Sequence, residues 1–175
     1  MTPCFFGYGS LVNLATHDYL SPRPARLPGW RRVWRTTRLR RAAYLSAEPA
    51  PGVTIAGLVA NILGADWTAL DAREAAYTRI DISDTIGVPD CAIYRVADLY
   101  LADAGAEASI LRSYLETVAQ GFFDLHGARG VEDFFATTAN WTAITDDRAA
   151  PLYPRHRPST PKVTALVEQH LARLP

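Results

Sequence analysis

A glutamate set among apolar residues is the first place in this chain of 175 residues where chemistry could be done. If a helix opened by Asp66 runs to about Tyr77, then Trp67, Leu70, Glu74 and Tyr77 fall three, four and three residues apart. At about 100° per residue they make one stripe, with Glu74 inside it. Asp71 and Arg73 flank that stripe, while Ala69, Ala72 and Ala76 cover the other faces. A carboxylate on an apolar face loses hydration, which disfavours the anion and raises its pKa toward neutrality. A general base that must also return a proton needs that property. The same position equally suits a structural ion pair with Arg73 or Arg79, so the spacing alone leaves both roles open.

The second feature is Phe6-Gly7-Tyr8-Gly9-Ser10-Leu11. Two glycines after an apolar run let the chain turn tightly and expose consecutive backbone N–H groups. With a helical turn following, those donors form a nest for a carboxylate or a phosphate. The loop is neither GxGxxG nor GxxxxGK[ST], which excludes dinucleotide and P-loop readings. It is not GxSxG either, and no Ser-His-Asp set assembles around Ser10.

These residues need elements to hold them. Cys4 to Tyr8 reads as a buried strand that ends at glycines. A short helical segment follows before Ser21-Pro22, prolines punctuate the chain as far as Pro28, and Trp30 to Thr37 returns to strand. Tyr44 to Ala47 is a weaker strand, Glu48 to Gly52 a turn, and Val53 to Leu63 the strongest strand. Gly57 inside that strand implies a bulge or a close backbone approach. After the Asp66 helix come strands at Thr78 to Ile82 and Ala92 to Val96. Helical spacing then runs from Ala106 to His126 through Ile110, Leu111, Tyr114, Leu115, Val118 and Phe122. A shorter helix covers Gly130 to Thr138, and Thr160-Pro161 opens a last one toward Leu174. Strands fill the first hundred residues and helices the rest, so the class is α+β, in a single domain over residues 1–175.

Composition narrows the function classes. Apolar residues make up 49% and charged residues 21%, ordinary values for a globular chain, which exclude disorder and fibrous repeats. Eighteen basic residues balance eighteen acidic ones. No global field then draws the chain to nucleic acid or an anionic membrane. Residues 1–50 nonetheless carry eight Arg against Asp18 and Glu48. Seventeen of the eighteen basic residues are Arg, which reads as a coding bias. The longest apolar stretch, Val53 to Leu63, is well short of the roughly 20 residues that span a bilayer, and the start lacks a signal peptide's basic region. A cytoplasmic protein is expected. Cys4 and Cys91 read as small buried apolar residues, and the four histidines share no metal-ligand spacing.

The loop and the glutamate together resemble the γ-glutamylcyclotransferase superfamily, which includes the ChaC-type enzymes. Phe6 to Leu11 matches its YGSL-type loop, and Leu70 to Arg79 is similar to its glutamate helix. Gly29-Trp30-Arg31-Arg32 resembles the GxRR-type strand, Gly57 to Ala60 the strand before the glutamate, and Tyr114-Leu115 with Gly121-Phe122 a later helix. ChaC-type enzymes continue with Gly-Gly-Tyr after the glutamate, whereas this chain has Ala76-Tyr77-Thr78-Arg79, which leaves the γ-glutamyl compound open. Asp147-Arg148 and Pro151 to Arg155 are similar to a closing segment of some bacterial relatives, with no role attached.

The resemblance implies a mixed β-barrel with flanking helices and a small-molecule γ-glutamyl substrate. It implies neither a cofactor, nor a metal, nor a nucleic-acid or membrane partner, and it leaves the oligomeric state open. Glu74 would be the catalytic base, with Tyr8, Gly9, Ser10, Leu11 and Tyr114 as substrate-binding residues. Two other classes compete: a binding protein for γ-glutamyl compounds or amino acids on the same scaffold, and an interaction domain using the cationic and aromatic run Trp30 to Arg41.

Overall fold

Four residues at the centre of the sheet set its plan. In the computed structural model, which describes residues 2–174, β1 (Cys4–Gly7) is buried throughout. In chain order it is followed by β2 (Leu20–Thr37), β3 (Arg40–Asn61), β4 (Tyr77–Asp81), β5 (Cys91–Val96), β6 (Ile110–Leu111), β7 (Thr138–Ala139) and β8 (Ile144–Thr145). Six strands form one mixed sheet in the order β4-β5-β1-β3-β2-β7, and β6 and β8 make a separate parallel pair. β1 runs antiparallel to β3 and parallel to β5, with Cys4 beside the buried, free Cys91. The helices are α1 (Thr68–Arg73), α2 (Ser83–Ile86), α3 (Arg112–Ala136) and α4 (Pro161–Leu171).

The long β2–β3 hairpin differs from the expected pattern in two ways. β2 begins at Leu20 and carries Pro22, Pro24 and Pro28 within it. Its outer flank meets β7 only at Arg32 and Val33, so along most of its length a missing N–H breaks no ladder. The turn expected at Glu48 to Gly52 is instead a bulge inside β3. Pro28 faces Thr54 and Trp30 faces Pro49, so residues 50–53 loop out opposite Gly29. Gly29 and Gly52 take positive φ there, 75° and 83°, which glycine adopts without a steric penalty. The bulge bends the hairpin. It brings Ser46 back onto β5, where its Oγ accepts the Val96 N–H at 3.0 Å. The sheet thus curls around the open end of β1.

α3 joins the two helices read from the sequence, with a break at Gly127, whose φ is 69°. It starts later than the spacing implied because Ile110 and Leu111 enter β6. Its buried side, including Leu115, Val118, Phe122, Val131 and Phe134, packs over the sheet. A methyl group on Gly121 would lie 2.6 Å from Asn13 Cα, so glycine lets α3 rest on the chain that leaves β1. Asn13 Nδ2 donates to the Thr117 carbonyl at 2.8 Å across that contact. α4 opens as read, with Thr160 Oγ1 accepting the Val163 N–H, and it ends at Leu171. Among the described residues no helix is long and apolar enough to cross a membrane.

Gly57 is a close approach. A Cβ there would collide with the Gly7 carbonyl oxygen and lie 2.6 Å from Phe6 Cζ. Both atoms belong to the central strand and have no room to retreat. Gly57→Ala is therefore expected to destabilise the protein by about 1–3 kcal/mol or more, the scale of overpacking in a core. Urea denaturation should show a lower midpoint, and an unchanged midpoint would contradict the close approach.

Candidate active site

Beyond Gly7 the chain leaves the sheet and enters a 3-10 turn at Ser10–Val12. Gly9 and Ser10 accept the N–H groups of Val12 and Asn13. Among the described residues, the N–H groups of Gly9, Ser10 and Leu11 meet no backbone acceptor. The loop is fixed from below by Arg32, a fully buried guanidinium on β2. Its Nε donates to the Tyr8 carbonyl at 2.8 Å, Nη1 donates to Thr137 Oγ1 at 2.7 Å, and Nη2 donates to the Ala56 carbonyl. The Phe122 and Phe134 rings lie against it, and burial pulls its pKa down. The cationic and aromatic run Trp30 to Arg41 is thus divided. Arg31 and Arg35 pair with Glu48 at the surface, while Arg32 points inward.

Glu74 enters the same cavity from the other side of the sequence. α1 stops at Arg73, earlier than expected, and Glu74 terminates it with φ −100° and ψ 32°. Its N–H still bonds the Leu70 carbonyl at 2.9 Å, and its own carbonyl accepts the Tyr77 N–H at 2.8 Å. The second bond turns the chain into β4, which is why Tyr77 belongs to the sheet. The stripe survives where it matters: Leu70 is fully buried and the Glu74 side chain is only 14% exposed.

Of the two cations that could pair with Glu74, Arg73 does so, Nε to Oε1 at 3.3 Å. Arg79 binds Asp71 instead and covers the Trp67 ring. Arg73 is itself buried and reaches the loop: Nη1 donates to the Thr16 carbonyl at 2.8 Å and Nη2 to Thr16 Oγ1 at 3.2 Å and Ser10 Oγ at 3.5 Å. Loss of hydration raises the Glu74 pKa, and the charges of Arg73 and Arg155 pull against that rise. The ion pair and the perturbed acid are one arrangement.

Tyrosines complete the wall. Tyr8 Oη donates to the Tyr94 carbonyl at 2.6 Å, and Tyr77 Oη to the Leu45 carbonyl at 2.9 Å. Tyr8 lines the cavity with its hydroxyl engaged by the Tyr94 carbonyl and its own carbonyl held by Arg32. The Tyr114 hydroxyl lies over the loop, 2.9 Å from where a methyl on Gly9 would sit, with the Ser10 amide beside it. Burial holds Tyr8, Tyr77 and Tyr114 above the ordinary tyrosine pKa, so all three stay protonated.

One cavity gathers Tyr8, Gly9, Ser10, Leu11, Glu74 and Tyr114. Arg40, Tyr44 and Tyr94, not singled out from the sequence, also line it, as do Arg73, read there only as an ion-pair partner of Glu74, and Tyr153 and Arg155, from the segment to which no role was attached. Arg73 carried a usable signal, its adjacency to Glu74 at the end of a helix. Arg40 and Tyr44 carried none, because only the bend in the hairpin brings them to the cavity.

This chain is similar to a solved γ-glutamyl cyclotransferase, at 14% identity and a TM-score of 0.60, over 97% of this chain and 99% of that one. An uncharacterised protein from Homo sapiens aligns at 13% identity and a TM-score of 0.56, over 95% and 98% of the two chains. YkqA from Bacillus subtilis aligns at 20% identity and a TM-score of 0.50, over 99% of this chain and 55% of its own. No protein-family model matches the sequence, and no curated protein matches it. The chain has the fold of γ-glutamyl cyclotransferases; at these identities the likeness speaks for the fold.

The balance at Glu74 can be measured. Carboxyl 13C NMR should place its titration above the 4.5 of an ordinary glutamate, because burial outweighs the neighbouring cations. Arg73→Met removes the closest charge that favours the anion, so the midpoint should move further up. A downward movement would mean that Arg73 does not support the ionised form.

Proposed function

We propose that the protein is a γ-glutamyl cyclotransferase, which cleaves a γ-glutamyl amide into 5-oxoproline and a free amine. The reading rests above all on Glu74, among the described residues the single carboxylate side chain that lines the cavity formed by the Gly9 to Leu11 loop. The likeness in fold to a γ-glutamyl cyclotransferase supports it.

In this mechanism the N–H groups of Gly9, Ser10 and Leu11 hold the substrate α-carboxylate, and the Tyr114 hydroxyl adds a donor beside them. The Glu74 carboxylate takes a proton from the α-ammonium. The freed amine attacks the γ-carbonyl carbon, forming the C–N bond of a five-membered ring. Protonated Glu74 then gives its proton to the departing nitrogen as the original amide C–N bond breaks. The ring nitrogen sheds its second proton through the same carboxylate, and the released amine takes it up. Water is not a reactant. Because the attack is intramolecular, the main contribution of the protein is to hold the substrate folded in the reactive conformer. A carboxyl group with a raised pKa suits a residue that must accept and return a proton in one turnover.

Glu74→Gln keeps shape and volume but cannot carry a proton at neutral pH. 5-Oxoproline release should fall by on the order of 10²–10⁴, the usual contribution of a positioned proton carrier. Substrate binding should persist. Folding should hold or improve at pH 7: a carboxyl whose pKa is raised by folding contributes most below its unfolded pKa, and that contribution is lost as pH rises through the folded value. A purely structural Glu74 predicts the reverse, a lower melting temperature with turnover near that of the native protein. Melting and turnover measured on the same preparation separate the two.

A further inference from the structure

α3 begins without a cap of its own. Leu111 stands at the cap position with no side-chain acceptor, and the first turn holds no acidic residue. Buried N–H groups at a helix start are costly when nothing accepts from them. The acceptor comes from 34 residues further along the chain, in Asp147, which is only 7% exposed. β6 and β8 set Ile110 beside Ile144 and Leu111 beside Thr145, and the same register two residues on brings Asp147 to Ser113. Asp147 Oδ1 accepts the Ser113 N–H at 2.8 Å, and Oδ2 accepts the Ser113 hydroxyl at 2.5 Å.

Oδ2 also accepts the Leu152 N–H, at 2.9 Å. One carboxylate thus grips Ser113 and Leu152, the residues immediately before Tyr114 and Tyr153. Those two tyrosines line the cavity and meet edge-on, with ring centroids 4.9 Å apart. Among the described residues no cation pairs with Asp147. Burial alone would raise its pKa, but the bonds from Ser113 and Leu152 outweigh burial and hold the carboxyl below its usual range. While both grips hold, Tyr153 and Tyr114 keep their relative height. One turn further along α3, Thr117 Oγ1 accepts the Arg157 N–H at 3.0 Å, so the segment has a second fastening beyond Tyr153.

We propose that Asp147 is a positioning residue of the active site. Through Ser113 it sets the Tyr114 hydroxyl over the Gly9 to Leu11 loop, and through Leu152 it seats Tyr153 behind that ring. The inference rests on the cyclotransferase reading, in which the Tyr114 hydroxyl helps to hold the substrate carboxylate. Asp147 is not among the residues that line the cavity, and it acts only through the two tyrosines. The hydroxyl it places contributes equally to the bound substrate and to the transition state. Its displacement therefore raises KM and leaves kcat nearly unchanged. A cap with a structural role alone lowers the melting temperature and leaves the KM of the folded protein where it was.

Asp147→Asn keeps the volume but replaces one acceptor oxygen with an NH2 group, which cannot accept from Ser113 or Leu152. Among glutathione, γ-glutamylalanine, γ-glutamylethylamide and γ-glutamylputrescine, the compound that yields 5-oxoproline fastest serves as the probe. KM and kcat are then measured for the native protein, Asp147→Asn, Tyr114→Phe and the double variant, with melting temperatures on the same samples. KM should rise about tenfold in each single variant, the scale of a hydrogen bond to a charged group. kcat should stay within about threefold. Adding Asp147→Asn to Tyr114→Phe should raise KM less than about twofold further, because the hydroxyl that Asp147 places is already gone. Where Asp147→Asn does not fold, Ser113→Ala decides: it deletes only the hydroxyl bond to Asp147 and should raise KM about threefold. An unmoved KM in the deciding variant, whatever happens to melting or kcat, would overturn the inference and leave cyclisation standing. Equal rises with and without the Tyr114 hydroxyl would do the same. A native protein that yields no 5-oxoproline from any of these compounds would instead bring down the cyclotransferase reading, and this inference with it.

Discussion

A guanidinium sealed from water holds the site together. Arg32 is charged and fully buried, a placement that is unfavourable unless every donor is met. Its partners are drawn from three places: the carbonyl of Tyr8 in the loop, the carbonyl of Ala56 in β3, and the hydroxyl of Thr137 at the end of α3. Asp133 on α3 supplies the compensating charge and accepts the Ala56 N–H at 3.2 Å. The loop geometry, the position of α3 and the course of β3 are therefore satisfied together or not at all. Removing any one partner would leave a buried charge short of a hydrogen bond, a larger penalty than losing an exposed pair.

With the loop so fixed, the remaining electrostatics are arranged around a single acid. Burial pushes the Glu74 carboxyl toward its neutral form, and Arg73 restrains that push while tying the acid to the loop through Thr16 and Ser10. The acid and the loop donors share a common brace. Tyrosines whose hydroxyls are engaged by the Tyr94 and Leu45 carbonyls supply walls without adding a competing titratable group near neutrality.

Much of this was legible in the chain. The apolar run ending at Gly7, the spacing of Leu70 and Glu74 and the Thr160-Pro161 cap are local signals, and local physics decides them. Gly57 read as a bulge or a close approach because a glycine in a strand otherwise weakens it, and the structure shows the close approach. What stayed hidden depends on long-range closure. Pro-Ala-Pro-Gly reads as a turn, yet β2 had already set the partner strand, and the chain answered with a bulge. Arg32 looks like its neighbours, and only the alternation of the strand, followed by what lies on its inner face, separates it from Arg31. The segment from Asp147 to Arg157 lacks periodicity, so nothing local announces that it covers the cavity.

The prolines of β2 have a consequence of another kind. Pro24 and Pro28 lie four residues apart within an unbroken register, so both absent N–H groups fall on the same side of the strand. The ladder to β3 runs through Arg23 to Pro28, so that side is the outer one. A long exposed edge is ordinarily a template on which a second copy can add its own strand. Here such a visitor would find carbonyl acceptors but no donors at Pro24 and Pro28, and the growing ladder would fail at both. The stretch of sheet with most to gain from sticking to itself is chemically deaf on that side.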